Sequence, residues 1–128
     1  RISVCFIEQD PTAISVLRAN IQKLNMQSRS HIIAGNATNL VHWSHPLTTV
    51  MFADAPYHSG AGQASALSIQ SLGGLSPGAL IIIETHKSET IDLAQLSVSS
   101  MTYNERRVYG KAALNFITYN AKTRPIFS

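Results

Sequence analysis

Short apolar segments alternate with helical patterns through the first two thirds of the chain. Ile2–Ile7 is a mostly apolar run containing β-branched residues, which is typical of a strand buried on both faces. Asp10-Pro11 then combines an N-cap residue with a proline at the first helical position, and apolar residues recur at helical spacing from Ile14 to Leu24. Further strands are predicted at 31–34, 49–53 and 79–83. This order predicts an α/β fold with a mainly parallel sheet covered by helices.

The pattern changes after residue 91. Segments 96–103 and 112–119 are predicted to be two strands of an antiparallel hairpin, with the polar segment 104–110 at its tip. A helix is predicted at 64–72, and the preceding Gly60-Ala61-Gly62 is interpreted as a flexible flap. A chain of 128 residues fits one domain with a core of its own.

Composition narrows the class of protein only slightly. Ten Lys and Arg residues against seven Asp and Glu residues give a net charge of +3, which is compatible with a nucleic-acid partner but does not by itself indicate one. No apolar run approaches the ~18–20 residues of a membrane span. The single cysteine, Cys5, can form no intrachain disulfide, which favours a reducing cytoplasm. His42 and His45 have no further ligand at suitable spacing, so no metal site is expected.

Polar residues lie just past the ends of three successive predicted strands. Glu8 ends the first strand, Asn36 comes two residues after the second, and Asp54 ends the third. In an open α/β sheet the carboxyl ends of the strands face the ligand crevice. We therefore expect the functional site at this edge of the sheet.

The segment Asp54-Ala55-Pro56-Tyr57 suits recognition of a flat base through its exocyclic amine. A carboxylate or a backbone carbonyl accepts hydrogen bonds from the NH2 group, and the tyrosine ring stacks on the base. Methylation of an amine requires its lone pair to be aligned with an electrophilic methyl group, so positioning supplies much of the acceleration. The alternative is an ordinary loop in which Pro56 ends a strand and Tyr57 packs on the surface.

The order of these motifs resembles that of the bacterial 16S rRNA guanine-N2 methyltransferases of the RsmD type. Asp54-Ala55-Pro56-Tyr57 is similar to the Asp-Pro-Pro-Tyr motif of amino-group methyltransferases. The other matching segments are Phe6-Ile7-Glu8-Gln9-Asp10 followed by Ala13, Leu17, Asn20 and Leu24, then Leu75–Glu84, and then Arg107-Val108-Tyr109-Gly110. The resemblance covers roughly residues 4–119.

This resemblance implies a Rossmann-like sheet of the S-adenosylmethionine-dependent methyltransferases, with an antiparallel C-terminal hairpin, in a single catalytic domain over residues 1–128. It implies methyl transfer from S-adenosyl-L-methionine to the exocyclic N2 amine of a guanine in 16S ribosomal RNA, without a metal. The implied partner is ribosomal RNA or a small-subunit ribosomal particle, and no membrane. We expect a cytoplasmic monomer.

The resemblance also assigns roles to individual positions. The catalytic residues would be Asp54, Pro56 and Tyr57. The cofactor-binding residues would be Glu8, which accepts hydrogen bonds from the ribose hydroxyls, Gln9 beside the adenine, Asn36 where the family has an aspartate that meets the adenine amine, and Ala37 through its backbone. The substrate-binding residues would be Ala55, His58 and Arg107. Arg106, Arg107 and Lys111 either contact RNA phosphates or form a solvated hairpin tip.

The chain departs from the family pattern at several places. Ala55 replaces the first proline of the motif, and Asn36 replaces an aspartate. The family's strand order would be 3-2-1-4-5-7-6, and its first strand and glycine-rich loop have no counterpart here, so we expect them ahead of Arg1 in a longer protein. Two alternatives stay open: a catalytically degenerate RNA-binding module of the same fold, and an amino-group methyltransferase acting on DNA.

Overall fold

The computed structural model describes residues 2–120, which form six strands and three helices. In chain order these are β1 (Val4–Glu8), α1 (Pro11–Lys23), β2 (Ser30–Ala34), β3 (Thr48–Asp54), α2 (Ala61–Ser71), β4 (Leu75–His86), α3 (Leu93–Val98), β5 (Met101–Tyr109) and β6 (Ala112–Tyr119). Short 3-10 turns lie at Gln27–Arg29 and Ala37–Asn39. Among the residues described, no helix is long and apolar enough to cross a membrane.

The strands form two hydrogen-bonded ladders. β1 pairs with β2 in parallel, and the second ladder has the order β3-β4-β6-β5. β3 and β4 are parallel, whereas β6 is antiparallel to both β4 and β5. The predicted α/β class, with parallel pairing first and an antiparallel hairpin at the end, is confirmed. The two ladders reproduce the orders 3-2 and 4-5-7-6 of the expected sheet, and the strand expected between them stays a prediction.

Helix α1 begins where the sequence predicts. The Asp10 side chain accepts a hydrogen bond from the Ala13 N–H at 3.1 Å, and Pro11 occupies the first turn. This contact satisfies one of the backbone donors that a helix start leaves open. The apolar side of α1 is only half-buried, and none of its residues is fully buried.

The core lies on one face of the four-stranded sheet, under α2 and α3. Its largest fully buried hydrophobic side chains are Ile81, Ile83, Leu96 and Ile117. The buried residues of α2 include the small residues Gly62, Ser65 and Ala66, and a Cβ atom at Gly62 would lie only 2.6 Å from Cγ2 of Ile83. The close approach of helix and strand therefore depends on the missing side chain at Gly62.

The interpretation of Gly60-Ala61-Gly62 as a flexible flap is wrong. α2 begins at Ala61, three residues before the predicted start, and Gly62 is buried within it. Gly60 precedes the helix in the left-handed conformation, with φ 68°, which glycine adopts without strain. These glycines thus serve the helix start and its packing.

The predicted strand at 96–103 is also wrong in its first part. Residues 93–98 form α3, whose start is capped by the Asp92 side chain, which accepts a hydrogen bond from the Gln95 N–H at 3.0 Å. β5 then runs from 101 through most of the segment predicted as the hairpin tip, and the chain reverses at Gly110-Lys111. The hairpin itself is confirmed, with longer strands and a tighter turn.

Candidate active site at the carboxyl ends of the strands

The structure brings Glu8 and Asn36 to the same end of the β1–β2 ladder. Glu8 is in register with Ala34, and the Gly35 N–H donates to the Glu8 carbonyl oxygen at 2.9 Å. Asn36 follows Gly35 directly. The two expected cofactor-binding residues thus leave adjacent strands at one edge.

The Glu8 carboxylate is half-buried and accepts a hydrogen bond from the N–H of its neighbour Gln9 at 3.0 Å. An ionised carboxylate offers about four acceptor positions, and this contact occupies one of them. The remaining capacity suits the two hydroxyls of a ribose. Gln9 is exposed beside it.

Asn36 is oriented by the turn that it starts. Its side-chain oxygen accepts hydrogen bonds from the Thr38 N–H at 2.9 Å and from the Thr38 hydroxyl at 2.7 Å, and it caps the turn containing Ala37. That oxygen was expected to meet an adenine amine. With that oxygen occupied, the group that the side chain can still offer is the NH2 donor, which suits a ring nitrogen of adenine better than its amine.

Asp54, the last residue of β3, lies beside Glu84, which is two residues before the end of β4. The two residues are in register in the parallel ladder, and Asp54 is exposed. Neighbouring strands are about 4.8 Å apart, so two carboxylates border the segment that follows β3. Glu84 was not among the residues expected at the site, although its position at the end of a predicted apolar strand matches that of Asp54.

In the turn after Asp54, the backbone carbonyl of Pro56 already accepts hydrogen bonds within the protein. The Pro56 oxygen accepts hydrogen bonds from the N–H and the hydroxyl of Ser59, at 3.3 Å and 2.6 Å. A base amine at this turn would therefore meet the Asp54 carboxylate and the Ala55 carbonyl before the Pro56 carbonyl. Pro56 fixes the turn by its ring.

The Tyr57 hydroxyl is fixed by a hydrogen bond, whereas much of the residue is exposed to solvent. The hydroxyl donates to Oε2 of Glu84 at 3.3 Å, the ring stands edge-on to the His86 ring at 5.3 Å, and 41% of the residue is exposed. Partial desolvation, together with the negative charge of Glu84, raises the pKa of Tyr57 above its ordinary value. The phenol thus stays a neutral donor and the ring keeps a fixed direction.

His58, the next residue, lies close to two groups that the sequence did not single out. Its ring is 5.1 Å from the His86 ring, and its N–H donates to Oε1 of Glu89 at 2.7 Å. The His86 N–H donates to the same oxygen at 2.8 Å. Nothing in the sequence signals Glu89, because its position depends on how the turn after β4 folds.

Arg107 lies farther away on the same sheet. Asp54, Glu84, Leu114 and Arg107 are register partners across the four strands, which places Arg107 three strand spacings, or about 14 Å, from Asp54. Its guanidinium pairs with Glu105 at 3.0 Å and stands 5.4 Å from the centre of the Phe116 ring. The hydrogen bond to Glu105 raises the pKa of Arg107.

A family model described as Conserved hypothetical protein 95 matches residues 2–118. The chain belongs to this family. Among curated proteins no match is found.

Solved structures of several proteins share the fold of this family member. A Haemophilus influenzae protein assigned as a methylase superposes with a TM-score of 0.78 at 22% identity, covering 93% of this chain and 73% of that one. An Escherichia coli protein assigned as a methyltransferase, yhhF, gives 0.74 at 19% identity, covering 94% of this chain and 64% of that one. TrmN from Thermus thermophilus gives 0.63 at 16% identity, with coverages of 93% and 36%. The fold is thus the Rossmann-like fold of the methyltransferases.

This family member places its expected site residues in two groups. Glu8, Gln9, Asn36 and Ala37 lie at the end of the β1–β2 ladder, and Asp54, Ala55, Pro56, Tyr57 and His58 lie at the end of β3. Arg107 belongs to neither group. The roles expected for all of these residues stay predictions, which the geometry above makes specific enough to test.

Proposed function

We propose that this chain carries the methyl-transfer site of an S-adenosylmethionine-dependent enzyme that methylates the exocyclic N2 amine of a guanine in 16S ribosomal RNA. The observation that carries the proposal is the set of groups after β3: the Asp54 carboxylate, the Ala55 carbonyl and the exposed ring of Tyr57, whose hydroxyl is bonded to Glu84. Acceptors beside an aromatic ring are what recognition of a base amine requires.

In this proposal the Asp54 carboxylate and the Ala55 carbonyl accept the two N–H groups of the guanine amine. These two hydrogen bonds turn the nitrogen lone pair away from the acceptors and toward the methyl donor. Tyr57 stacks on the base and fixes its plane. Alignment of this kind lowers the barrier because the reacting atoms no longer need to find each other.

The residues at the end of β1 and β2 fit a bound nucleoside cofactor. Glu8 retains acceptor capacity for ribose hydroxyls, and Asn36 and Ala37 lie at the next strand end to border the adenine. S-adenosyl-L-methionine, when bound, supplies a methyl group on a positively charged sulfur, so a metal is not needed to activate it. We extend the proposal to a monomeric cytoplasmic enzyme that acts on ribosomal RNA or a small-subunit particle.

Two alternatives have support in particular residues. The occupied side-chain oxygen of Asn36 and the substitution at Ala55 favour a degenerate RNA-binding module without methyl transfer. The Asp54–Tyr57 segment also suits an amino-group methyltransferase acting on DNA. Calorimetry with S-adenosyl-L-methionine on the full-length protein tests the first alternative, since a degenerate module would show no binding. Methyl transfer to ribosomal particles compared with DNA tests the second.

The central prediction concerns Asp54. Asp54→Ala removes one acceptor of the amine, and we expect turnover to fall at least about 100-fold, by analogy with loss of one group in a preorganised site. The dissociation constant for S-adenosyl-L-methionine should stay within about threefold, because Asp54 lies at the substrate side. Radiolabelled methyl transfer and calorimetry measure the two quantities.

The matched control is Asp92→Asn. Asp92 is a carboxylate at the start of α3, and asparagine caps a helix as well as aspartate does. This variant should keep its activity. An Asp54→Ala protein that retained most of its turnover would contradict the assigned role of Asp54.

A further inference from the structure

The backbone just after Tyr57 is in an unfavourable conformation. His58 has φ 62°, in the left-handed region that residues other than glycine rarely adopt. For such a residue this conformation costs about 1 kcal/mol or more. Tyr57 is the residue that would stack on the base, and the His58 N–H belongs to the peptide unit that joins Tyr57 to His58.

One carboxylate oxygen holds this part of the backbone through two hydrogen bonds. Oε1 of Glu89 accepts the His58 N–H at 2.7 Å and the His86 N–H at 2.8 Å. It therefore ties the loop after β3 to the end of β4. Hydrogen bonds to an ionised acceptor are shorter and stronger than those between neutral groups.

The charge on Glu89 is favoured in the folded protein. Desolvation opposes the charge, but the two backbone hydrogen bonds and the neighbouring imidazoles of His58 and His86 outweigh it and lower the pKa of Glu89. The carboxylate is therefore ionised at neutral pH, in the form that accepts both N–H groups best.

Glu89 is itself fixed from the other side. Nη1 of Arg106 donates to the backbone oxygen of Glu89 at 2.9 Å, and Nη2 donates to the backbone oxygen of Lys87. Nη1 also lies 3.4 Å from the side-chain oxygen of Asn115, which is completely buried in β6. The turn after β4 is thus anchored to the C-terminal hairpin. These contacts assign Arg106 a structural role, although the sequence left open an RNA contact.

We propose that Glu89 is a positioning residue for base recognition: its carboxylate holds the backbone of His58 so that the Tyr57 ring faces the base, and Arg106 fixes Glu89 to the hairpin. The expected effect of Glu89 on turnover rests on the proposed function, whereas its effect on the conformation of the loop does not. Glu89 touches neither the base nor the cofactor in this scheme. Its loss should therefore act through the alignment of Tyr57.

The variants separate acceptor geometry from charge. Glu89→Gln keeps an oxygen that accepts both N–H groups, Glu89→Ala removes it, and Glu89→Asp withdraws it by one methylene. Thr90→Ala, at the exposed position that follows Glu89, is the control. Backbone hydrogen exchange at His58 and His86 reports the loop directly in the full-length protein, and steady-state methyl transfer reports its effect on turnover.

We expect Glu89→Ala to speed amide exchange at His58 and His86 at least about tenfold and to lower kcat or kcat/KM for RNA about 10- to 100-fold, because small misplacements of a reacting partner have effects of this size. Affinity for S-adenosyl-L-methionine should not change. Thr90→Ala should resemble the wild type in both measurements. Glu89→Gln keeps the acceptor oxygen but loses the charge, so both of its values should lie between those of the wild type and Glu89→Ala, closer to the wild type. If Glu89→Ala does not fold, Glu89→Asp should show the same pattern with smaller changes.

Wild-type exchange rates at His58 in both Glu89→Ala and Glu89→Asp would overturn the proposal. A Glu89→Gln protein as impaired as Glu89→Ala would also overturn it, because the oxygen alone would then be insufficient. Absence of methyl transfer in the wild type, with the exchange pattern as expected, would refute the proposed function and leave the loop-holding role in place. If the wild type is active, and Glu89→Ala has the same activity and the same amide exchange rates as the wild type, the loop-holding role is refuted and the proposed function stays in place.

Discussion

The two ladders of this protein hold their strand ends in different ways. Between residues 2 and 47, the part of the described chain that contains the β1–β2 ladder, no residue is buried, whereas every buried hydrophobic residue of the described chain lies in the part that contains the β3-β4-β6-β5 sheet. On the β1–β2 side, the strands are held by the hydrogen bonds of the ladder and by the half-buried face of α1. The four-stranded side has two helices packed on one sheet face.

The polar contacts follow the same division. Glu8 bonds to Gln9 and Asn36 bonds to Thr38, so the site residues of the β1–β2 side are oriented by neighbours within two positions. On the other side, Tyr57 is bonded to a residue 27 positions away and His58 to one 31 positions away. Local sequence orients the expected cofactor residues, and tertiary packing orients the expected base-binding residues. Distant substitutions should therefore disturb base binding more than cofactor binding.

The largest effect is expected when one asparagine side chain is removed from each of the two sides and the losses of stability are compared. Asn115 is completely buried: its NH2 group donates to the Ile83 carbonyl at 2.9 Å and to the Thr85 hydroxyl at 3.0 Å, and its oxygen accepts from the Tyr103 hydroxyl. We expect Asn115→Ala to lower the free energy of unfolding by about 3–4 kcal/mol, because several buried polar groups lose their partner together.

Asn20→Ala is the matched change in α1. Asn20 is exposed on a helix, where alanine is the better helix former, so stability should change by less than about 0.5 kcal/mol. Urea denaturation of both variants measures the difference. If both substitutions lower the free energy of unfolding equally, the two sides do not differ in how much their polar contacts stabilise the protein.

A smaller effect is expected from adding one methyl group. In Gly62→Ala the new Cβ would collide with Ile83, so α2 must move or Ile83 must leave its rotamer, at a cost of about 1–3 kcal/mol. At Gly35, beside Asn36, a Cβ would meet nothing within 4 Å, and Gly35→Ala should be neutral within about 0.5 kcal/mol. Thermal unfolding compares them. A destabilised Gly35→Ala protein would mean that the β1–β2 side is packed more tightly than its contacts indicate.

The sequence predicts local features of the fold well because their causes are local. Asp10-Pro11 marks the start of α1 whatever surrounds it, and the residues at the strand ends follow from the apolar runs before them. The opposite case is α3. Residues 96–98 continue an apolar stretch that also suits a strand, and the outcome depends on the cap at Asp92 and on the burial of Leu96 in the core.

The same distinction applies to the candidate site. Glu8, Asn36 and Asp54 are predictable because each stands at the end of a strand or within two residues of it. Glu89 is not, since its carboxylate reaches His58 only once β3 and β4 have paired and the turn has closed. Arg106 is a similar case: a charged residue in a polar segment is typical of a solvated surface, yet its guanidinium binds two backbone carbonyls.

The smallest expected effect is the acid sensitivity of the base-binding side. The pKa of Glu89 is lowered in the folded protein, so its contribution to stability is fully present above the ordinary pKa of glutamate and is lost as the pH falls through the lowered value. The groups that face this carboxylate are the backbone N–H groups and imidazoles of His58 and His86, with Tyr57 and Glu84 beyond them. Between about pH 5 and pH 3 the wild type should therefore lose more stability than Glu89→Gln, whose amide does not titrate, by about 1 kcal/mol or less at this partly exposed site. Urea denaturation of both proteins at each pH gives the difference.

Parallel pH profiles of the two proteins would contradict this prediction. They would mean that the two N–H groups bind the neutral acid as well as the carboxylate. The loop would then keep this contact in acid, and the charge of Glu89 would have no part in holding Tyr57.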